Sequence, residues 1–319
     1  MDAVIIDGLR FALPLFIIAL GGIFSERSGI INLALEGFQG FGAFAGALAV
    51  NLIVLRVADD AGFIPYVAFV FATLGGMLYA GLHALLCVKF KANQVISGVV
   101  INILSVALTA FFTSRITAIL TGTRLNRLPV TIFPRFDVPF LSDIPVLGAV
   151  FTNLFPFQVL IVILAVIAYY VLYKSKFGLR LRACGENPQA VDSVGLSVTK
   201  TRVIAVLISG GLAGFGGMCF VYSITLEFSP LIYMGFGFLS IAALVFGNWK
   251  IVPTFFACLI FGFARSGGNW LIFRMGRSAD YIDLAMTLPY LITLILLVYF
   301  SKANQMPAAL GEIYDKGKR

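Results

Sequence analysis

Apolar runs of about 20 residues recur along this whole chain, and each is long enough to cross a hydrocarbon core of roughly 30 Å as a helix. Candidate spans are 4–24, 29–55, 63–88, 94–114, 155–173, 203–223, 231–247, 251–266 and 282–301. The expectation is an all-α, polytopic membrane protein with about nine transmembrane helices, eight to ten allowing for irregular stretches, in one transmembrane domain over 1–319. The chain is 60% hydrophobic and 12% charged, whereas soluble domains run at about 45–50% and 25%. The 29–55 run is long, polar at its start and glycine-rich, so it reads as a broken helix or two pieces. Only Gly247-Asn248-Trp249-Lys250 divides 231–266. The first apolar run lacks the basic leader of a signal peptide, since Asp2 and Asp7 precede Arg10, and is read as a retained helix.

A net charge of +8 would suit a nucleic-acid binder, but the Lys and Arg residues sit mostly in short links between apolar runs, where they set topology. If Lys174 to Arg202 is cytoplasmic, alternation puts Arg27, Lys89, Lys91, Lys250 and the tail with Lys302, Lys316, Lys318 and Arg319 on that side too. Those links hold fourteen Lys and Arg residues against eight opposite. The N-terminus is then outside and the C-terminus cytoplasmic. The proline-bearing 114–154 link becomes an extracytoplasmic segment with little regular structure, suited to facing a partner. Cys87, Cys184, Cys219 and Cys258 lack metal or redox spacing, so neither a metal site nor a disulfide framework is implied.

The 174–202 segment is a polar, basic island with a short helix written inside it. Asn187 is a good N-cap, Pro188 suits the first helical position, and Gly195 can take the left-handed conformation that ends a helix after about two turns. A helix that short is marginal in water, because isolated helices need about 12–15 residues, so something must hold it.

Inside the membrane, Asn32, Glu36 and Gln39 fall at i, i+4 and i+7, one face if the second span is helical from Gly29. A charge at mid-bilayer costs about 2.5–3.5 kcal/mol on insertion scales, so that face should meet protein or a water-filled path. The other reading keeps Glu36 near the interface, where it fixes a helix break. Asn102, deepest of the polar residues in the fourth span, is placed to bond either a ligand or, with the larger weight, a neighbouring helix. Asn32, Glu36, Gln39 and Asn102 are the candidates for a solute path. His83 is read as a packing residue rather than a proton relay. The Gly42/Gly46 and Gly210/Gly214 pairs have the four-residue spacing that lets helices touch at their backbones. No intramembrane pair of carboxylates suggests ion coupling, which weakens a secondary-transport reading. A non-transporting scaffold is a further alternative. No nucleotide-binding or hydrolase motif is present, so no enzyme chemistry is expected here.

Four ordered stretches carry a likeness: ERSGIINLALEG (26–37), FGLRLRACGENPQAVDSVGL (177–196), SGGLAGFGG (209–217) and GFGFLSIAALVFGNW (235–249). Together they resemble permease subunits of bacterial ABC importers of the simple-sugar, nucleoside and branched-chain amino acid group, in particular the purine-nucleoside type. The resemblance implies a type II importer-like permease in the inner membrane, with no cofactor of its own because a partner ATPase binds ATP and Mg. It further implies a second permease subunit, related or identical, and an extracytoplasmic substrate-binding protein, all set in lipid with no nucleic-acid partner. The 177–196 match implies that Gly178, Arg180, Arg182, Glu186, Asn187, Pro188 and Gly195 build the coupling segment that docks on the ATPase, with the arginines meeting acidic groups there. Where the family often has alanine pairs, this chain has Val191 and Asp192. The cargo implied is a small polar solute, most readily a nucleoside, with riboflavin or a simple sugar as alternatives.

Overall fold

The computed structural model describes residues 2–55, 62–144, 147–276, 287–300 and 305–316. In chain order the helices are α1 (Asp2–Arg27), α2 (Leu35–Val54), α3 (Ile64–Ala84), α4 (Gln94–Thr121), α5 (Pro156–Lys174), α6 (Lys176–Glu186), α7 (Pro188–Ser193), α8 (Val198–Phe220), α9 (Phe236–Phe246), α10 (Ile251–Arg274) and α11 (Leu288–Phe300). Wider π-helical turns extend α3 to Lys89 and α8 to Thr225. Among the described residues the fold is all-α, with strand structure limited to one pair of two residues each.

Among the described residues, seven helices are long and apolar enough to span a bilayer, fewer than the nine expected. The difference lies in the last third of the chain. The expected span 231–247 shrinks to the 11 residues of α9, about 16 Å at 1.5 Å per residue. Pro230 and a turn through Gly235, whose φ is +88°, hold the preceding residues out of the helix. At the other end Asn248 and Trp249 take positive φ values of 55° and 54° and separate α9 from α10. For the span expected at 282–301, the structure describes 13 helical residues, and its first part lies outside the described residues, as do Lys302, Lys318 and Arg319.

Two other boundaries move. Helix α4 runs on to Thr121 and ends at Gly122, φ +73°, so the link expected from 114 begins there. That link is pinned by its strand Leu128–Pro129, antiparallel to Glu227–Phe228 after α8, and by Asn51, whose Nδ2 donates to the Pro129 carbonyl at 2.9 Å. Helix α8 begins at Val198, capped by Ser197, so its first turn lies within the expected 174–202 island.

The core is α1 packed by α8 and α10, with α2, α3 and α8 in close mutual contact. The predicted glycine pairs make that contact. A Cβ on Gly42 would meet the Gly214 Cα and, at 2.7 Å, the Ala72 carbonyl; one on Gly46 would meet the Ala68 carbonyl at 2.7 Å. Gly210 lies against Ala80 and Gly76, and Gly214 against the Ala72 carbonyl. The three backbones thus approach as only small residues permit.

Helix α4 inverts the pattern of a soluble helix. Gln94, Ser97, Asn102, Ser105, Thr109, Thr113 and Thr117 are buried, while Ile96, Val100, Ile103 and Phe111 face outward. Two of the buried hydroxyls close on their own helix, Thr109 on the Ser105 carbonyl at 2.8 Å and Thr117 on the Thr113 carbonyl at 2.9 Å, while Ser105 donates to the Gly37 carbonyl of α2 at 2.9 Å.

Candidate functional site

Between α1 and α2 the chain unwinds over 28–34, starting at Gly29 with φ +93°. Most of this stretch is buried, and buried backbone N–H and C=O groups need partners; here side chains from four elements supply them. From α4, Gln94 Oε1 accepts from Ile31 N at 2.7 Å, and Asn102 Nδ2 donates to the Leu33 carbonyl at 2.7 Å. His83 of α3 lies 3.2 Å from the Ile31 carbonyl and 2.9 Å from Ser97 Oγ, as a packing residue should. Arg202 of α8 donates from Nε to the Ser28 carbonyl at 3.1 Å. At the end of α1, Glu26 is buried, accepting from Trp249 Nε1 at 2.5 Å and from Asn32 N at 3.4 Å.

The predicted polar residues converge on this break, though not as one helical face. Asn32 lies in the unwound stretch rather than on α2, because the helix starts only at Leu35. Its Nδ2 donates to Ser209 Oγ on α8 at 2.8 Å, leaving its Oδ1 buried without a partner among the described residues. Gln39 donates to the Tyr233 carbonyl at 3.1 Å, and its Oε1 is likewise unpartnered. Glu36 accepts from Gly235 N at 2.8 Å, which places its carboxylate at the positive N-terminus of the half-length helix α9. Asn102 has both amide atoms committed within the chain, since its Oδ1 also accepts from Gly37 N at 2.7 Å. Sequence reading did not single out Ser209, Tyr233 or Trp249 as partners. The sharpest missed signal was Arg202, an arginine inside the first turns of an apolar helix.

At the same end of the bundle, the polar island folds into two helices. The predicted one is present: Asn187 Oδ1 accepts from Ala190 N at 3.0 Å, Pro188 opens α7, and Gly195 has φ +79°. Ahead of it stands α6, unpredicted, turned off α5 at its cap Ser175 and packed so closely on the end of α5 that a Cβ at Gly178 would collide with the Val171 and Leu172 carbonyls. Val191 is held against Cys184, Val198 and Tyr314 in a separate small cluster, which is what stabilises so short a helix. Burial there pushes the Cys184 thiol up from its ordinary range.

The predicted charges divide. Arg180 is exposed, whereas Arg182 lies over the Tyr173 ring with 5.6 Å from guanidinium carbon to centroid. Glu186 stays exposed, its carboxylate 3.9 Å from Arg27 and 3.4 Å from Ala308 N. Between α6 and α7 a groove of about 490 Å³ is lined by Leu179, Ala183, Ala190, Val191 and Val194 among others, and Leu179 and Val194 are 62% and 70% exposed.

A C-terminal strap, 305–316, closes the arrangement. Ala309 N donates to the Gly185 carbonyl at 2.8 Å, Gly311 N to the Gly29 carbonyl at 3.0 Å, and Arg202 Nη1 to the Glu312 carbonyl at 3.0 Å. The strap thus joins α6, the α1–α2 break and α8.

Broken, glycine-packed membrane helices around buried amide side chains, with a paired-helix platform at one end, define a membrane permease. The chain belongs to the family described as the permease component of the branched-chain amino acid transport system, which matches residues 4–298. It is 38% identical to the guanosine ABC transporter permease protein NupQ of Bacillus subtilis over 98% of this chain and 96% of that protein. It is 35% identical to the nucleoside ABC transporter permease protein NupC of Lactococcus lactis over 100% and 98%. The glucose ABC transporter permease protein TsgB13 of Haloferax volcanii is 26% identical over 88% and 74%. No solved structure matches the chain at a significant level. The protein is therefore a multi-pass permease subunit of an ABC importer and not itself an enzyme, and the ion-coupled alternative falls away.

Proposed function

We propose that this subunit carries a nucleoside inward, with α6–α7 on the cytoplasmic side and the N-terminus outside. Full-length similarity to permeases named for guanosine and nucleosides supports the cargo. The groove between α6 and α7 supports the coupling role, because Leu179 and Val194 stand exposed at it, where a partner surface could cover them. In this reading Leu179 and Val194 fill a depression on the ATPase, which binds ATP and Mg, and exposed Arg180 meets an acidic group there. Gly178, Asn187, Pro188 and Gly195 set the turns, while Arg182 and Glu186 tie the platform to the bundle.

Asn32 and Gln39 each keep a buried acceptor free, which suits them to bond a polar, uncharged solute as the path opens. Glu36 and Asn102 hold the broken backbone around that path. A second permease subunit and an extracytoplasmic binding protein complete the importer. The pinned link after α4 lies on the binding-protein side.

Replacing Asn187 and Pro188 together by glycine tests the coupling role. Membrane insertion should persist and ATP-driven uptake of labelled guanosine should stop; unchanged uptake would sink the assignment. A sugar cargo has the glucose permease similarity in its favour, and competition of guanosine uptake by glucose would reveal it. A flavin cargo rests on the family likeness alone.

A further inference from the structure

At the end of the bundle remote from α6–α7, the first turns of α1, the π-helical turn after α8 and the second half of α10 enclose a cavity of about 300 Å³. Asp7 stands 20 residues before Arg27, about 30 Å along a helix at 1.5 Å per residue. The cavity is therefore at the opposite membrane face from the platform. Its volume is at the small end of the range for small-molecule sites.

The wall chemistry is mixed. Arg265 lies against Phe11 and Phe236, its guanidinium carbon 4.3 and 5.5 Å from their ring centroids. Among the described residues no carboxylate stands at ion-pair distance from it. Arg10 is 3.3 Å from Asp7 Oδ1 and donates to the Asn153 carbonyl at 3.3 Å. Three buried polar atoms of the lining residues have no partner among the described residues: Arg10 Nε, Ser223 Oγ and Asn269 Oδ1. They gather around one cavity, where an entering molecule could bond all three.

The polar lining decides the ligand class. Arg10 Nε and Arg265 only donate, Asn269 Oδ1 and the Asp7 carboxylate only accept, and Ser223 does either. A phosphate or carboxylate would satisfy the donors but leave Asn269 Oδ1 unpaired and face Asp7. A sugar offers hydroxyls but no planar acceptor for an arginine fork. A carbonyl beside a ring N–H offers both kinds of group along one flat edge, as on guanine, hypoxanthine or uracil: the carbonyl oxygen can accept from an arginine and the ring N–H can donate to Asn269 Oδ1.

We propose that this cavity receives the base of the nucleoside, through its carbonyl and N–H edge, before the solute reaches Asn32 and Gln39. The inference rests on the nucleoside reading above for the identity of the ligand, but it assigns a place and a set of contacts which that reading does not.

The four native cysteines are buried, so Ser223→Cys introduces a thiol that reports on the cavity. The variant importer, assembled with its ATPase and second permease in nanodiscs without binding protein, is reacted with a small charged methanethiosulfonate. Guanosine near saturation should slow the reaction at least about fivefold, the change expected of a site more than four-fifths occupied. Glucose, inorganic phosphate and an acidic peptide should not. Adding Arg265→Gln, or Asn269→Leu, should abolish protection in complexes that still elute as assembled. If guanosine gives no protection while the wild-type importer takes up guanosine, the site is overturned and the cargo stands. Protection by phosphate or the acidic peptide alone also overturns it, in favour of an anion site. Protection by guanosine in an importer that takes up no nucleoside would keep the site and overturn the cargo.

Discussion

Arg202 on α8 donates to the carbonyl of Ser28, 174 positions earlier, at 3.1 Å, and so fixes the first residue of the unwound stretch. The same guanidinium holds the C-terminal strap through the Glu312 carbonyl at 3.0 Å. One buried side chain therefore ties the break that carries Asn32 to the strap that braces α6. Replacing it by methionine removes hydrogen bonds worth about 1.5–3 kcal/mol each to a charged group. Arg202→Met should insert and assemble but melt at lower temperature in detergent, and lose guanosine uptake out of proportion to its loss of abundance. Normal uptake in an assembled Arg202→Met complex would show the joint to be incidental.

The strap also makes ion pairs, Lys91 with Asp315 at 2.9 Å and Lys316 with Asp192 at 3.6 Å, but all four side chains are at least a quarter exposed. Such pairs are worth about 0–1 kcal/mol and are screened by salt. Holding the strap should fall instead to the backbone bonds at Gly185 and Gly29. Lys91→Gln should leave uptake and melting nearly unchanged, and high salt should not release the strap. Ending the chain before Gln305 should raise amide exchange of α6 and α7 and lower uptake. Hydrogen-exchange mass spectrometry on the assembled importer distinguishes the two variants.

Gly214, inside α8, and Gly195, between α7 and α8, make opposite predictions. Gly214 lies between the α2 and α3 backbones with no room for a Cβ, so Gly214→Val should cost more than the about 1–3 kcal/mol of ordinary overpacking and prevent assembly. Around Gly195 a Cβ meets nothing within 4 Å, and only its φ of +79° resists substitution. Gly195→Ala should therefore cost about 1 kcal/mol. Gel-filtration recovery of the two variants in detergent measures the difference.

Glu36 faces the N-terminus of α9 through Gly235 N. Glu36→Gln keeps an acceptor there but gives up the charge-dipole attraction, about 0.3–1 kcal/mol, or up to about 2 in partly buried geometry. Glu36→Leu leaves the amide unpaired in apolar surroundings as well. Melting temperatures should fall in the order wild type, Gln, Leu; an equal drop for both variants would show that the hydrogen bond contributes nothing.

Local chemistry made some of this legible in the sequence. The cap, proline and terminal glycine of α7 are neighbours in the chain, and they form the helix they encode. The Gly42/Gly46 and Gly210/Gly214 spacings announced a close approach because the cause, a missing side chain, is itself in the sequence. Hydropathy failed at α9, where Pro230 and Gly235 stop a run whose apolar content alone suggests a full crossing. It also gave no hint of the strap, which has no apolar run and finds its partners at Gly29 and Gly185 across more than a hundred positions. The candidate path residues were found because polarity is costly in lipid, but their bonding partners depend on the break at 28–34, which periodicity cannot see.

Helix α4, with Thr109 and Thr117 closed on its own backbone and its aliphatic residues outward, implies a lopsided tolerance to change. Exchanges among leucine, isoleucine, valine and phenylalanine at Ile96, Val100 or Ile103 alter only which hydrocarbon meets the surroundings. At Ser105 or Thr109, a larger side chain would wedge this helix off α2. A saturation library of this one helix should sort by side-chain volume on one stripe and by polarity on the other.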